Sequence, residues 1–260
     1  MEIDAIRDVA LRAVKEAGAI LREGLEQTRI AEYKSDKNLV TDIDRRSEQA
    51  IAALVRRELP GHSLVSEEGM RIQGDSGYRW FVDPLDGTTN YVHGYPCFSV
   101  SIGVEKDGEL IYGVVYDPTL EELFTTERGE GAFLNGKRLR VSSVSPLSNA
   151  LLATGFPSDV ATAKENNLNH FANFMKRAQA VRRPGSAALD LCYVAAGRLD
   201  GFWELRLNPW DVAAGTLLVL ESGGMVTDLK GHPYRLFTPQ IVASNAKIHE
   251  EMLQLLVSEG

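Results

Sequence analysis

Asp83 and Asp86 stand three residues apart in Trp80-Phe81-Val82-Asp83-Pro84-Leu85-Asp86-Gly87-Thr88-Thr89-Asn90. Aromatic and β-branched residues open this stretch as a strand, and Asp-Pro ends it, leaving the Asp83 carboxylate at the strand tip. Gly87 lets backbone pass close to a ligand, because no Cβ stands in the way. Thr88, Thr89 and Asn90 read as the first turn of a short helix, whose free N–H groups and dipole suit a phosphate. Two acids beside a phosphate-ready helix start fit together when cations lie between acid and anion. A plainer reading competes: Asp-Gly between apolar runs is a common hairpin signal, and Asp86 can simply cap the next helix.

Two further stretches weigh against the plain turn. Glu67-Glu68 follows the apolar run Leu64-Val65-Ser66, and Pro209-Trp210-Asp211 opens an apolar helix with an acid in its first turn. Each has its own ordinary explanation, Glu67 and Glu68 as a solvated loop and Asp211 as a helix-dipole charge. Acids gathered in one pocket repel by roughly 1–4 kcal/mol per close pair, so a fold that collects them needs metal. With only oxygen donors in these motifs, Mg²⁺ or Mn²⁺ is favoured over zinc. The histidines at 62, 93, 170, 232 and 249 show no ligand spacing, and His93 reads as a loop or packing residue.

Together these motifs resemble the inositol monophosphatase family of Mg²⁺-dependent, lithium-sensitive phosphomonoesterases. The resemblance is carried by Ser66-Glu67-Glu68, by Asp83-Pro84-Leu85-Asp86-Gly87-Thr88-Thr89-Asn90 and by Trp210-Asp211-Val212-Ala213-Ala214-Gly215, closed by Glu221-Ser222-Gly223-Gly224. Arg183-Pro184-Gly185-Ser186-Ala187-Ala188-Leu189-Asp190-Leu191 is similar to its bacterial, SuhB-like branch. The likeness covers nearly the whole chain.

The resemblance implies two to three ions. Glu67, Asp83 and the Leu85 carbonyl would hold one, Asp83, Asp86 and Asp211 a second, and a weaker third would share Glu67. Phosphate would sit on the Gly87 and Thr88 amides, and water would attack directly, with the Glu67/Thr88 pair and the metal activating it. Asp44 would bond Thr88 and help orient that water. Glu204 and the backbone of Gly185, Ser186 and Ala187 would meet substrate hydroxyls, with Asp86 and Asp211 alongside. The D-x-x-D spacing departs from the D-x-D of aspartyl-phosphate enzymes. The substrate implied is inositol monophosphate or a related polyol or sugar phosphate; fructose-bisphosphatase, histidinol-phosphatase and nucleotide-phosphate phosphatase remain alternatives. From another class comes a SuhB-like regulatory protein that binds the transcription machinery.

These residues need elements to position them. Residues 6, 10, 13, 17, 20 and 21 are apolar at helical spacing, which predicts an amphipathic helix ending near Gly24. A short strand is expected over 30–34 and a polar loop over 35–38. Thr41-Asp42-Ile43-Asp44 starts a second helix, which Pro60-Gly61 stops. Alternation over 97–105 and 109–117 predicts a hairpin turning at Lys106-Asp107-Gly108, and 121–126 continues the meander. Arg128-Gly129-Glu130-Gly131 reads as a turn, since no third glycine or helix follows. Strands are expected over 151–156, 202–204, 225–227 and 240–243. Helices are expected over 165–178, from 185, over 211–221 and over 248–257. Pattern alone gives mixed α/β; the resemblance implies an αβαβα sandwich forming one domain over 1–260, with halves of about 1–148 and 149–260.

The chain has 260 residues, is 44% hydrophobic and 25% charged, and carries a net charge of −8, as an ordinary soluble globular protein does. The acidic balance argues against direct nucleic-acid binding. Cys97 and Cys192 lie far apart and read as reduced thiols of a cytoplasmic protein. The acidic N-terminus lacks a signal peptide, and the longest apolar stretch, 212–220, is too short to span a membrane. The resemblance implies a homodimer.

Overall fold

A computed structural model describes residues 2–25, 31–35 and 38–257. The chain runs α1 (Glu2–Leu25), β1 (Ala31–Ser35), β2 (Asn38–Thr41), α2 (Asp42–Glu58), β3 (Ser63–Ser66), β4 (Arg71–Ile72), β5 (Tyr78–Asp86) and α3 (Thr88–His93). A meander follows: β6 (Ser99–Lys106), β7 (Glu109–Asp117), β8 (Glu122–Glu127), β9 (Gly131–Leu134) and β10 (Lys137–Arg138). Then come β11 (Leu151–Thr154), α4 (Leu168–Met175), β12 (Ala180–Arg182), α5 (Ala187–Ala195) and β13 (Gly201–Leu205). The described chain closes with α6 (Pro209–Glu221), β14 (Met225–Thr227), β15 (Gln240–Ser244) and α7 (His249–Val257).

Two larger sheets result, ordered β10-β9-β8-β7-β6-β5-β3-β4 and β12-β11-β13-β15-β14, beside a β1-β2 ribbon. Three apolar cores hold five layers together, the middle one reaching both sheets. Ile6, Ala13, Val14 and Leu21 of α1 and Ile51 and Val55 of α2 pack on Trp80, Val82, Val100 and Val114 of the larger sheet. Leu189 and Leu191 of α5 and Ala214 and Leu218 of α6 fill the space between the sheets. Phe174 and Met252, on α4 and α7, cover the outer face of the smaller sheet against Trp203 and Val242. This is the αβαβα order that the resemblance implies. The close approach of α6 to the larger sheet depends on small residues, because a Cβ at Gly103 would strike Ala213.

Several local expectations are corrected. The strand expected to stop at Asp83 runs on to Asp86, with a register shift between Asp83 and Asp86 against β6. Proline is tolerated there because the parallel partner β3 pairs only as far as Ser66↔Val82, so the edge facing it needs no donor at position 84. Asp83 is consequently buried, at 2% exposure. The helix expected over 165–178 is confined to Leu168–Met175, with Asn167 at its start in a left-handed conformation (φ 70). The strand expected to reach 156 ends at Thr154, and the one expected from Cys97 begins at Ser99. The strand expected over 30–34 lies at Ala31–Ser35, and Ile30, Asp36 and Lys37 fall outside the described residues. β4, β9 and β10 are too short for a periodic signal. His93, expected in a loop or packed, is exposed at the end of α3. Cys97 and Cys192 are both buried free thiols.

Candidate functional site

Glu67, Asp83, Leu85, Asp86, Gly87, Thr88, Glu204 and Asp211 line one inner chamber of about 190 Å³, and Gly185, Ser186 and Ala187 line it too. It opens beside an outer chamber of about 640 Å³, whose wall includes Gly87, Thr88, Phe156, Arg183, Glu204 and Leu207. The site residues proposed from sequence thus converge, with Asp44 reaching the chamber through Thr88.

The acids arrive from three places in the fold, with Asp83 and Asp86 sharing β5. Glu67 leaves the end of β3, where its N–H donates to Val82 O (3.1 Å) and ties it to β5. Asp83 holds the turn it sits on, since Leu85 N–H donates to its Oδ1 at 3.0 Å. Asp86 is gripped by the start of α5: the Ser186 hydroxyl and the Ala188 N–H both donate to Asp86 Oδ2, at 2.5 and 2.8 Å. Ser186 also caps α5 by accepting from Leu189 N–H. Its hydroxyl is therefore engaged by protein on both counts, while the residue still lines the chamber. Asp211 is the third residue of α6 and accepts from the Asn208 N–H at 2.7 Å.

Thr88 begins α3, and its hydroxyl meets Asp44 Oδ1 at 3.2 Å and Leu85 O at 3.1 Å. Asp44 is 1% exposed and lies under the chamber, whereas Asp42 is exposed. Gly87 has φ +95, and a Cβ there would come within 2.9 Å of Cys97 O. Both conformation and space therefore require glycine where the chain turns from β5 into α3.

Burial and neighbouring charge act on Asp83, Asp86, Glu204 and Asp211. Desolvation first, then the charges of Glu67, Asp86 and Asp211, hold the Asp83 carboxyl well above the usual range. Asp211 is raised well above it by burial and then by Glu67. Burial pushes Asp86 up to about 6, against the opposing bonds from Ser186 and Ala188. Glu204 goes up to about 8, from burial and then Asp86, with Arg183 opposing. Asp86, Glu204 and Asp211 keep part of their surface open to the chamber, yet protein encloses them enough for desolvation to dominate. Burial also raises Asp44, against the bonds from Thr41.

This donor set fits hard divalent cations: carboxylates and a carbonyl that destabilise one another in low dielectric, a cost a cation removes. Among the described residues no three His, Cys, Asp or Glu side chains already close into a cage round an ion; the acids share a chamber wall.

Sequence reasoning passed over several residues that the fold brings here. Asp190 is 1% exposed, lines the inner chamber, and is raised well above the carboxylate range by burial and then by Glu204 and Asp86. A lone acid in the apolar run Ala187-Ala188-Leu189-Asp190-Leu191-Cys192 was the available signal. Arg183 lines both chambers. Asn90 Nδ2 donates to Cys97 O (2.7 Å) and Pro184 O (2.8 Å), fixing α3 to the segment before α5. Gly155 makes room for Glu204, whose carboxylate a Cβ there would strike.

A sequence profile described as the inositol monophosphatase family matches residues 2–260. The chain is 45% identical over 253 residues to a Nus factor SuhB of Pseudomonas aeruginosa, covering 95% of this chain and 93% of that protein. It is 43% identical over 257 residues to an inositol-1-monophosphatase of Mesorhizobium japonicum, covering 98% and 97%. The solved inositol monophosphatase from Anabaena superposes with a TM-score of 0.91 at 40% identity, over 100% of this chain and 98% of that one.

Proposed function

The chain belongs to the inositol monophosphatase family, and from that premise we propose that it is a Mg²⁺-dependent phosphomonoesterase. Its substrate is inositol monophosphate or a related polyol or sugar phosphate, which water cleaves to alcohol and phosphate. The observation that carries this reading is the meeting of Glu67, Asp83, Asp86 and Asp211 in one small chamber with Gly87 and Thr88.

In this reading Glu67, Asp83, the Leu85 carbonyl, Asp86 and Asp211 hold two or three ions, Mg²⁺ or in its place Mn²⁺. When bound, the cations supply Lewis-acid polarisation and offset the charge of phosphate and leaving oxygen. The chain does the rest. A hydroxyl has one proton to give, and Thr88 gives it to Asp44 or Leu85 O. Its lone pairs are left to accept from a water in the chamber, so Asp44 and Thr88 orient the attacking water while Glu67 takes up its proton. The Gly87 and Thr88 amides bind phosphate oxygens. Ser186 and Ala188 fix one Asp86 oxygen and leave the other to the chamber. Glu204, beside Gly185 and Ala187, meets substrate hydroxyls at the chamber mouth.

The reading extends to a single domain over 1–260, a homodimer and a cytoplasmic location, for which the two buried free thiols speak. Among the described residues no helix is long and apolar enough to cross a membrane. A second reading, a protein partner in the transcription machinery, is favoured by the relatives at 43–45% identity named Nus factor SuhB; co-purification with polymerase and ribosomal factors tests it. Phosphate release with Mg²⁺ from inositol, sugar, histidinol and nucleotide phosphates tests the first. Preference for a cyclitol or polyol phosphate is expected, and no release from any of them sinks the reading.

A further inference from the structure

The turn from β3 to β4 carries Glu67 and is tightly bonded. Ser66 N–H donates to Met70 O at 3.1 Å, Gly69 N–H to Ser66 O at 3.3 Å, and Met70 N–H to Glu48 Oε1 of α2 at 3.0 Å. Gly69 takes φ +104, a conformation that costs glycine little. Arg71 Nη1 closes the turn by donating to both Ser66 O, at 2.6 Å, and Met70 O, at 2.8 Å. The same guanidinium lies 5.7 Å from the centre of the Trp210 ring, within cation–π range. Trp210 Nε1 is buried with no hydrogen-bond partner among the described residues, so packing and Arg71 hold this ring where a hydrogen bond does not.

Ser66 directly precedes Glu67, and Trp210 directly precedes Asp211. One side chain thus spans from the backbone beside the first acid to the ring beside the other, across a gap between two elements that share no strand pairing. We propose that Arg71 is a positioning residue that sets the spacing of Glu67 and Asp211 and so the affinity of the chamber for divalent cations. The inference rests on reading those two acids as cation ligands. Arg71 acts through its neighbours and lines neither chamber.

Two roles for Arg71 predict opposite signs. A bare positive charge near four acids competes with a cation, so its removal would tighten binding. A staple preorganises the acids, so its removal weakens binding. Lysine separates the roles further, because it keeps the charge but lacks the planar fork that bonds two carbonyls while stacking on a ring.

The test is calorimetric titration of the full chain with Mg²⁺ for the wild type, Arg71→Ala and Arg71→Lys. A melting curve serves as the folding control, and hydrogen exchange is followed at the amides of residues 66–70. We expect Kd for Mg²⁺ to rise about tenfold in both variants, as for other residues that orient metal ligands. The turn amides should exchange faster while the melting point stays close to that of the wild type. Tighter or equal Mg²⁺ binding by Arg71→Ala overturns the inference, as does wild-type affinity in Arg71→Lys. A wild type that takes up no Mg²⁺ overturns the phosphatase reading and this inference with it; variants that match a binding wild type overturn this inference alone.

Discussion

Two helices of this protein start with the same device and put it to different ends. In α2 and in α6 the third helical residue is an aspartate that reaches back to the backbone of the cap. Asp44 Oδ2 accepts from the Thr41 N–H at 2.8 Å and the Thr41 hydroxyl at 2.5 Å, and its Oδ1 meets the Thr88 hydroxyl. Asp211 Oδ2 accepts from the Asn208 N–H at 2.7 Å, and the residue lines the acidic chamber. A capping bond occupies one oxygen, and whatever meets the second decides the residue's role. Protein fills that place for Asp44, and for Asp211 it opens on the other acids. Capping and function are thus two uses of one side chain.

The sharpest way to break this comparison is to make each acid an amide. Asp211→Asn should lower kcat by about 10²–10³-fold, as loss of other electrostatic groups does. Its carbonyl oxygen can still cap α6, so the fold should lose only about 0.3–1 kcal/mol. Steady-state kinetics across a Mg²⁺ titration, with a melting curve, decide it: near-normal kcat would reduce Asp211 to a helix-start acid. Asp44→Asn should cost less in kcat, about 10–100-fold, and more in stability, about 0.5–2 kcal/mol, because Asp44 takes hydrogen bonds on both oxygens and an amide can accept on only one. The same two measurements apply, and a reversed order of the kcat losses would undo the distinction.

How much of this was legible beforehand follows from the same pair. Thr41 with Asp44 and Pro209 with Asp211 announce helix starts by local chemistry, which depends on neighbours in sequence. The larger sheet's meander was visible in the alternation over 97–105 and 109–117 about the turn at Lys106-Asp107-Gly108. What stayed hidden depends on contacts remote in sequence. Pro84 is tolerated in β5 because β3 stops pairing at Ser66, which nothing near Pro84 indicates. The bond from the Ser186 hydroxyl to Asp86, 100 positions away, likewise has no local signal. Arg128-Gly129-Glu130-Gly131 is the expected turn, yet its Gly129 and Gly131 N–H groups donate to the Glu221 carboxylate at 2.9 and 3.0 Å. The turn thereby anchors the far end of the helix that Asp211 begins.

Glu204 extends the comparison to the chamber mouth. Its replacement by alanine should remove one polar contact worth about 1–3 kcal/mol from kcat/KM for inositol phosphate. A small phosphate ester without ring hydroxyls should be turned over almost unchanged, with Mg²⁺ dependence intact. Equal losses on both substrates would take Glu204 out of the substrate site.

The smallest effect concerns pH. Glu204, pushed up to about 8, and Asp86, pushed up to about 6, bind protons more tightly in the folded protein than in the unfolded chain. The stability this gives the metal-free protein is complete below the ordinary carboxylate range and is lost as pH rises toward 8. Asp86, read as a cation ligand, binds its ion deprotonated, so the rise in Tm on adding Mg²⁺ should be several degrees larger at pH 8 than at pH 5.5. Melting curves with and without Mg²⁺ measure it; an equal rise at both values would separate cation binding from Asp86.

The central claim is that the gathered acids serve a cation on which phosphate release depends. Phosphate release from inositol 1-phosphate, by protein dialysed exhaustively against chelator and then supplied with Mg²⁺ or excess EDTA, tests it most directly. We predict turnover that appears with Mg²⁺, falls when lithium is added and vanishes in EDTA. Full turnover in excess EDTA would contradict the account.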